Sequence, residues 1–159
     1  MISLRNVQPG DLEGLAVIEN EGFSKDEAAT REVFIERIQV ISDTFIVAEQ
    51  DGKILGYING PVIPHPYITD DLFKEIQENP KTGGYQSILG VAVSRQARNQ
   101  GIATLLMEKM EELVHENERK GITLTCKQEL VSFYEKLGFV SHGISESKHG
   151  GVSWYNMIK

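Results

Sequence analysis

The segment Arg98-Asn-Gln-Gly101-Ile-Ala103 gathers the residues of this sequence best suited to chemistry. It follows an apolar run, Ile88 to Val93, and opens into an amphipathic stretch. A strand that delivers a small-residue turn to a helix start leaves backbone N–H groups without partners, beside the positive end of the helix dipole. That arrangement receives a pyrophosphate. Arg98, Asn99, Gln100, Gly101, Ile102, Ala103 and Thr104 are therefore the expected ligand-binding residues, and the expected ligand is polyanionic. The turn lacks the Gly-Lys-Ser/Thr of a P-loop, which disfavours ATP hydrolysis. It also lacks G-x-G-x-x-G with a downstream acid, which disfavours a dinucleotide fold.

The elements that must position this turn follow from patterning. Ile2 to Val7 alternates as a strand, Pro9-Gly10 breaks it, and Asp11 is placed to cap a helix reaching about Phe23. A second helix is expected from about Thr30 to Val40, with Phe34, Ile38 and Ile41 inward. Two apolar runs around Asp51-Gly52 predict a hairpin. Pro61 to Pro66 is a bend, and Thr69-Asp70-Asp71 would cap a short helix ending before Asn79-Pro80. One long central strand, about Gly84 to Val93, should lead into the turn. Beyond it, Leu105, Leu106, Met110, Leu113 and Val114 form a helical stripe, and Gly121 to Cys126 a strand. Leu130, Phe133, Tyr134 and Leu137 form a second stripe that Gly138 terminates. Phe139-Val140 and Val152 to Ile158 supply the last strands. The order predicts an α/β (α+β) domain, residues 1–159, built on one mixed, mostly antiparallel central sheet flanked by helices.

Bulk properties exclude several classes. The 159 residues suit one core, and the net charge of −7 opposes nucleic-acid binding. Acidic residues crowd Asp11 to Glu36, whereas Arg95 and Arg98 make the turn locally basic, so an anionic cofactor and a cationic substrate would sit apart. One cysteine and four scattered histidines give no metal-ligand spacing, and no metal is expected. The segment Met1-Ile-Ser-Leu-Arg-Asn has no signal-like apolar stretch, and no run approaches the ~20 residues of a membrane span. A cytoplasmic protein with no membrane partner is the expectation.

The turn, taken with Val131-Ser-Phe-Tyr-Glu-Lys-Leu-Gly-Phe139, resembles the GNAT (Gcn5-related N-acetyltransferase) superfamily, and the likeness covers nearly the whole chain. Within it, Glu19-Asn-Glu-Gly-Phe23, Asn79 to Gly84 and Thr125 to Tyr134 are similar to arylalkylamine (serotonin-type) N-acetyltransferases. The resemblance implies the GNAT acyl-CoA N-acyltransferase fold and acetyl-CoA as cosubstrate, bound by Arg98 to Thr104, the strand residues Val91, Ala92 and Val93, and Phe133. It implies direct attack of a small primary amine on the thioester, by a monomer or homodimer. A backbone N–H near Val91 would hold the oxyanion. Tyr134 would protonate the leaving thiolate.

The base is where the chain departs from the narrower pattern. Vertebrate arylalkylamine enzymes carry two histidines on the central strand, and Ser87 and Leu89 stand there instead. The remaining candidates are a water chain ordered by Ser87 or Gln86, a carboxylate such as Glu21, or His65 in the proline-rich bend. Asp26 and Glu27 are placed to meet a substrate cation. Cys126 reads as a small buried hydrophobe in preference to a covalent nucleophile, and Trp154, on the last strand, as packing. Three other functions remain open: acetylation of a protein lysine or N-terminus, a non-catalytic acyl-CoA-binding module, and a different acyl donor.

Overall fold

Asp51 and Gly52 both adopt positive φ (52° and 77°), the twist that a two-residue hairpin requires. They join β2 (Phe45–Gln50) to β3 (Lys53–Asn59) in a computed structural model that describes residues 1–159. The other strands are β1 (Ser3–Asn6), β4 (Val62–Ile63), β5 (Tyr85–Ile88), β6 (Gly90–Val93), β7 (Gly121–Cys126), β8 (Val140–Ile144) and β9 (Tyr155–Ile158). The helices are α1 (Leu12–Gly22), α2 (Arg31–Val40), α3 (Ile102–Glu116) and α4 (Val131–Lys136). No helix is long and apolar enough to cross a membrane.

The expected single central strand is two. Gly90 pairs with Asn59 of β3, and the Asn59 carbonyl also accepts the Leu89 N–H at 2.9 Å. Two residues facing one is a bulge, and it bends the strand. Gly90 fits there because a Cβ would lie 3.3 Å from the Tyr57 ring. Past the bulge β5 leaves β3, and the Ser87 N–H turns to the Pro61 carbonyl, 3.1 Å away. The one sheet expected is therefore two, ordered β1-β2-β3-β6 and β4-β5-β7-β9-β8. Only β5 and β7 run parallel, so the mixed, mostly antiparallel architecture flanked by helices stands. The consequence is functional: β6 ends its sheet with a free edge.

Alternation along β2 assigns the two faces. Phe45 and Val47 join Leu15 and Ile18 of α1, Phe34 and Ile38 of α2, and Tyr57. Ile46 and Ala48 join Ile102, Leu106, Met107, Met110 and Val114 of α3 with Ile122, Leu124 and Met157. The stripe expected on α3 is thus shifted, with Met107 buried and Leu105 exposed. Around α4, Tyr134 and Leu137 pack in the core while Leu130 and Phe133 are exposed, so only part of that stripe is a core face.

Local signals explain the helix ends. Thr30 Oγ1 accepts the Val33 N–H at 3.3 Å and starts α2. Gly138 (φ 97°) closes α4, with its N–H on the Glu135 carbonyl and the Phe139 N–H on the Tyr134 carbonyl. Asp11 does not cap α1 with its side chain. Its carboxylate is taken by the Arg5 guanidinium (two contacts of 2.9 Å) and the Gln8 N–H (2.8 Å). The helix expected after Thr69 is a single 3₁₀ turn, Asp70–Phe73, and Trp154 precedes β9 instead of lying on it.

Candidate functional site

The turn after β6 is built by two residues with positive φ, Asn99 (66°) and Gly101 (73°). No N–H from Arg98 to Thr104 finds a partner within the protein, and the first helical bond of α3 runs from Leu105 to Gly101. These seven unpartnered donors lie at and just before the start of a 15-residue helix, a cradle for a diphosphate. The turn is moored to the end of α1: the Arg95 N–H donates to the Glu21 carboxylate (3.2 Å) and Arg95 Nη2 to the Glu21 carbonyl (3.3 Å). The Ile102 side chain is in the core, so this residue offers only its backbone.

A Cβ added at Gly101 would meet open space, but the left-handed backbone there is one that side chains resist. Gly101→Val is expected to raise the KM for an acyl-CoA several-fold, with kcat nearly unchanged, in steady-state kinetics on that substrate.

From the turn, the free edge of β6 leads inward. The Ser94 N–H donates to the Leu55 carbonyl at 2.7 Å, which sets the phase of the antiparallel ladder. By alternation Ala92 faces β3, whereas the Val91 and Val93 N–H groups point to the open side. A cavity of about 150 Å³ follows this edge, walled by Val91, Ala92, Val93, Ala103, Met107, Phe133 and Tyr134. An apolar channel with an unpaired strand edge suits an extended chain carrying amide groups.

Val91 and Tyr134 also line a second cavity, of about 100 Å³, on the other side of the bulge. Here Glu19 is buried at 5 % exposure. The Tyr57 hydroxyl donates to one carboxylate oxygen, and the Ala29 N–H to the other at 2.7 Å. Burial nonetheless pushes the Glu19 carboxyl above the usual carboxylate range. Burial likewise keeps Tyr57 and Tyr134 protonated well above the ordinary phenol range. The wall is closed by Phe23, Phe73, Trp154 and His149. His149 stacks on Phe73 (ring centres 4.3 Å, 12°), its Nε2 lies 3.1 Å from the Glu27 carbonyl, and its own carbonyl accepts the Trp154 indole N–H at 2.7 Å. Glu27 pairs with Lys127 at 2.6 Å.

Cys126 lies in the same wall, buried, its thiol pushed up to about 11 by that burial. A thiol in that state is neutral at pH 7 and a poor nucleophile. Cys126→Ala is expected to keep full turnover, measured as thiol release.

The fold thus brings Val91, Ala92, Val93, Ala103, Phe133 and Tyr134 around one channel, with Arg98 to Thr104 at its end. Ser87 is not among them. It is fully buried on β5, its hydroxyl donates to the Pro61 carbonyl at 2.5 Å, and it lines neither cavity. Gln86 is equally committed, to the Gly60 and Ser87 carbonyls. Glu21 belongs to the turn, and His65 is exposed on its bend. Sequence reasoning passed over Glu19, His149 and Phe73 as site residues. Glu19 carried a readable signal, because it stands four residues after Leu15 on the buried face of α1. His149 and Phe73 carried none, since loops distant in sequence bring them together.

The acetyltransferase (GNAT) family model matches residues 12–139. No curated protein matches the chain. Among solved structures, Naa20 of Chaetomium thermophilum in complex with a bisubstrate analogue is similar at 23 % identity and TM-score 0.76, covering 99 % of this chain and 85 % of that one. NAA60 of Arabidopsis thaliana in complex with acetyl-CoA is similar at 18 % and 0.75, over 100 % and 98 %. The ribosomal-protein-S18-alanine N-acetyltransferase of Escherichia coli is similar at 15 % and 0.71, over 99 % and 92 %.

Proposed function

The chain belongs to the acetyltransferase (GNAT) family, and from that premise we propose that it is an acetyl-CoA-dependent N-acetyltransferase acting on a small primary amine. One observation carries this reading: two cavities meet at Val91 and Tyr134, one running to a cradle of free amides, the other holding a buried carboxylate. Acetyl-CoA would lay its diphosphate on Arg98 to Thr104 and its pantetheine arm along β6. Residues 1–159 would act as one domain, with the cofactor entering beside α3 and the amine beside α1.

The residues divide the work. An amine with a pKa near the lysine value of ~10.4 needs about 4–5 kcal/mol to reach its neutral form at pH 7. Glu19 takes up that proton, its basicity raised by burial. The Val91 N–H, free on the strand edge, donates to the carbonyl oxygen as negative charge develops there. The amine then attacks the thioester carbon, and Tyr134 donates its proton to the departing thiolate. Glu19 thereby supplies what the Ser87 and Leu89 positions lack.

The size and walls of the acceptor cavity favour a small amine, with an aromatic or alkyl body against Phe23, Phe73 and Trp154. The 3₁₀ turn carrying Phe73 is latched over the cavity, since Asp70 accepts the Ser147 hydroxyl and the Lys148 N–H (2.9 Å). This roof narrows access for a folded protein. A peptide N-terminus is the second reading, favoured by the likeness to the S18-alanine enzyme. The test is thiol release from acetyl-CoA with a panel of phenethylamines, tryptamine, polyamines, aminoglycosides and lysine or N-terminal peptides. Turnover of a small amine is the expected result. Turnover of peptides alone would replace the acceptor class, and acetyl-CoA binding without any turnover would leave a silent binding module.

A further inference from the structure

A third cavity, of about 320 Å³, shares Glu19, Leu89, Phe73 and His149 with the acceptor space and is lined also by Arg37 and Lys74. Arg37, on α2, is 3 % exposed. Its one hydrogen bond runs from Nη1 to Asn59 Oδ1 at 3.2 Å, while Arg37 Nε and Asn59 Nδ2 are enclosed without partners. No carboxylate lies within ion-pair distance of it. The Glu19 carboxylate acts on it through space without touching it. A buried guanidinium with no anion in contact is costly, and such groups are ordinarily paired.

The charges around this cavity are unequally satisfied. Its acids all have partners in the protein: Glu19 has Tyr57 and Ala29, Glu27 has Lys127, and Asp70 has Ser147 and Lys148. Its cations have less: Arg37 is hydrogen-bonded only to the Asn59 amide and feels Glu19 without contact, and Lys74 stands exposed at the wall with no ion pair. What is missing is an anion with two oxygens for the guanidinium fork. The space that would hold it shares its walls with the space where the amine is acetylated.

We propose that the acceptor is an amino acid, whose carboxylate is received by Arg37 and Lys74 while its amino group faces Glu19. This rests on the acetyl-transfer reading and narrows it. A carboxylate at Arg37 fixes the distance from that anchor to the reacting nitrogen. It also distinguishes an amino acid from its decarboxylated amine, which would leave the guanidinium unpaired.

The experiment compares matched pairs with the full-length protein and acetyl-CoA: phenylalanine with phenethylamine, tryptophan with tryptamine, lysine with cadaverine. The carboxylated member of at least one pair is expected to show a kcat/KM about tenfold or more above its partner. Lys74→Met, at an exposed position, is expected to shrink that preference by raising KM for the amino acid, with the decarboxylated amine unaffected. Arg37→Lys, which keeps the charge but loses the fork, is expected to shrink it further. Equal or better turnover of the decarboxylated amines, indifferent to Lys74→Met, would overturn the carboxylate assignment and leave the acetyl-transfer reading intact. Acetyl-CoA binding with no turnover of either member would overturn both.

Discussion

Replacing Glu19 by glutamine is expected to lower kcat by about 10²–10⁴-fold, the usual worth of a general base, with acetyl-CoA affinity unchanged. The carboxylate is placed for that role by the fold. Leu15 and Ile18 draw this face of α1 onto the sheet, and Glu19 is carried inward with them, to 5 % exposure. Burial pushes its carboxyl up, and the hydrogen bonds from Tyr57 and Ala29 only partly oppose this. The direction of the pH effect follows. The base works ionised, so activity falls as pH drops through the raised value, and the acidic limb of kcat should lie above the ordinary glutamate value of ~4.3. In Glu19→Gln that limb should vanish with the rate. Wild-type kcat in this variant would contradict the assignment and move the base to His149.

Tyr134→Phe should lower kcat by about 10²-fold or more, equivalent to about 2.7 kcal/mol of transition-state stabilisation. The fold should survive, because the ring is held edge-on by Phe133 (5.1 Å) and Phe139 (5.7 Å), contacts that phenylalanine keeps. The acyl-CoA channel should survive too, since the ring and not the hydroxyl forms its wall. Burial holds the phenol protonated far above neutrality, so the proton is available throughout the working pH range. An unchanged rate across the pH profile would sink the role. The variant also separates the two tasks of the site. Both losses lower the plateau, but loss of the base should also abolish the acidic limb, whereas loss of the acid should leave that limb in place.

The parts legible in the sequence are those fixed by neighbours in the chain. The Asp51-Gly52 hairpin, the Gly138 helix stop, the α2 cap and the turn from Arg98 to Thr104 each rest on residues within a few positions. The break at Leu89 is different. Ile88 to Val93 reads as an unbroken strand, because the bulge is imposed from β3, by the Asn59 carbonyl and the Tyr57 ring against Gly90. That one non-local contact opens the edge of β6, and so creates the space between the two half-sites. The α4 stripe serves two surroundings at once, with Tyr134 and Leu137 packed in the core. Phe133 repeats at core spacing yet faces a channel, and apolar periodicity alone does not distinguish a channel wall from a core. The proposed base was hidden by its company: Glu19 lies among many solvated acids, and only its phase with Leu15 separates it from them.

In this reading the acetyl group passes directly from thioester to amine across two adjoining sites, and single-turnover mixing tests that transfer. Protein in excess is mixed with acetyl-CoA, with and without an amine that turns over, while free thiol and protein mass are followed. The geometry predicts no thiol and no acetylated protein without the amine, and equal amounts of thiol and acetylated amine with it. A burst of thiol together with an acetyl-protein in the absence of amine would contradict it.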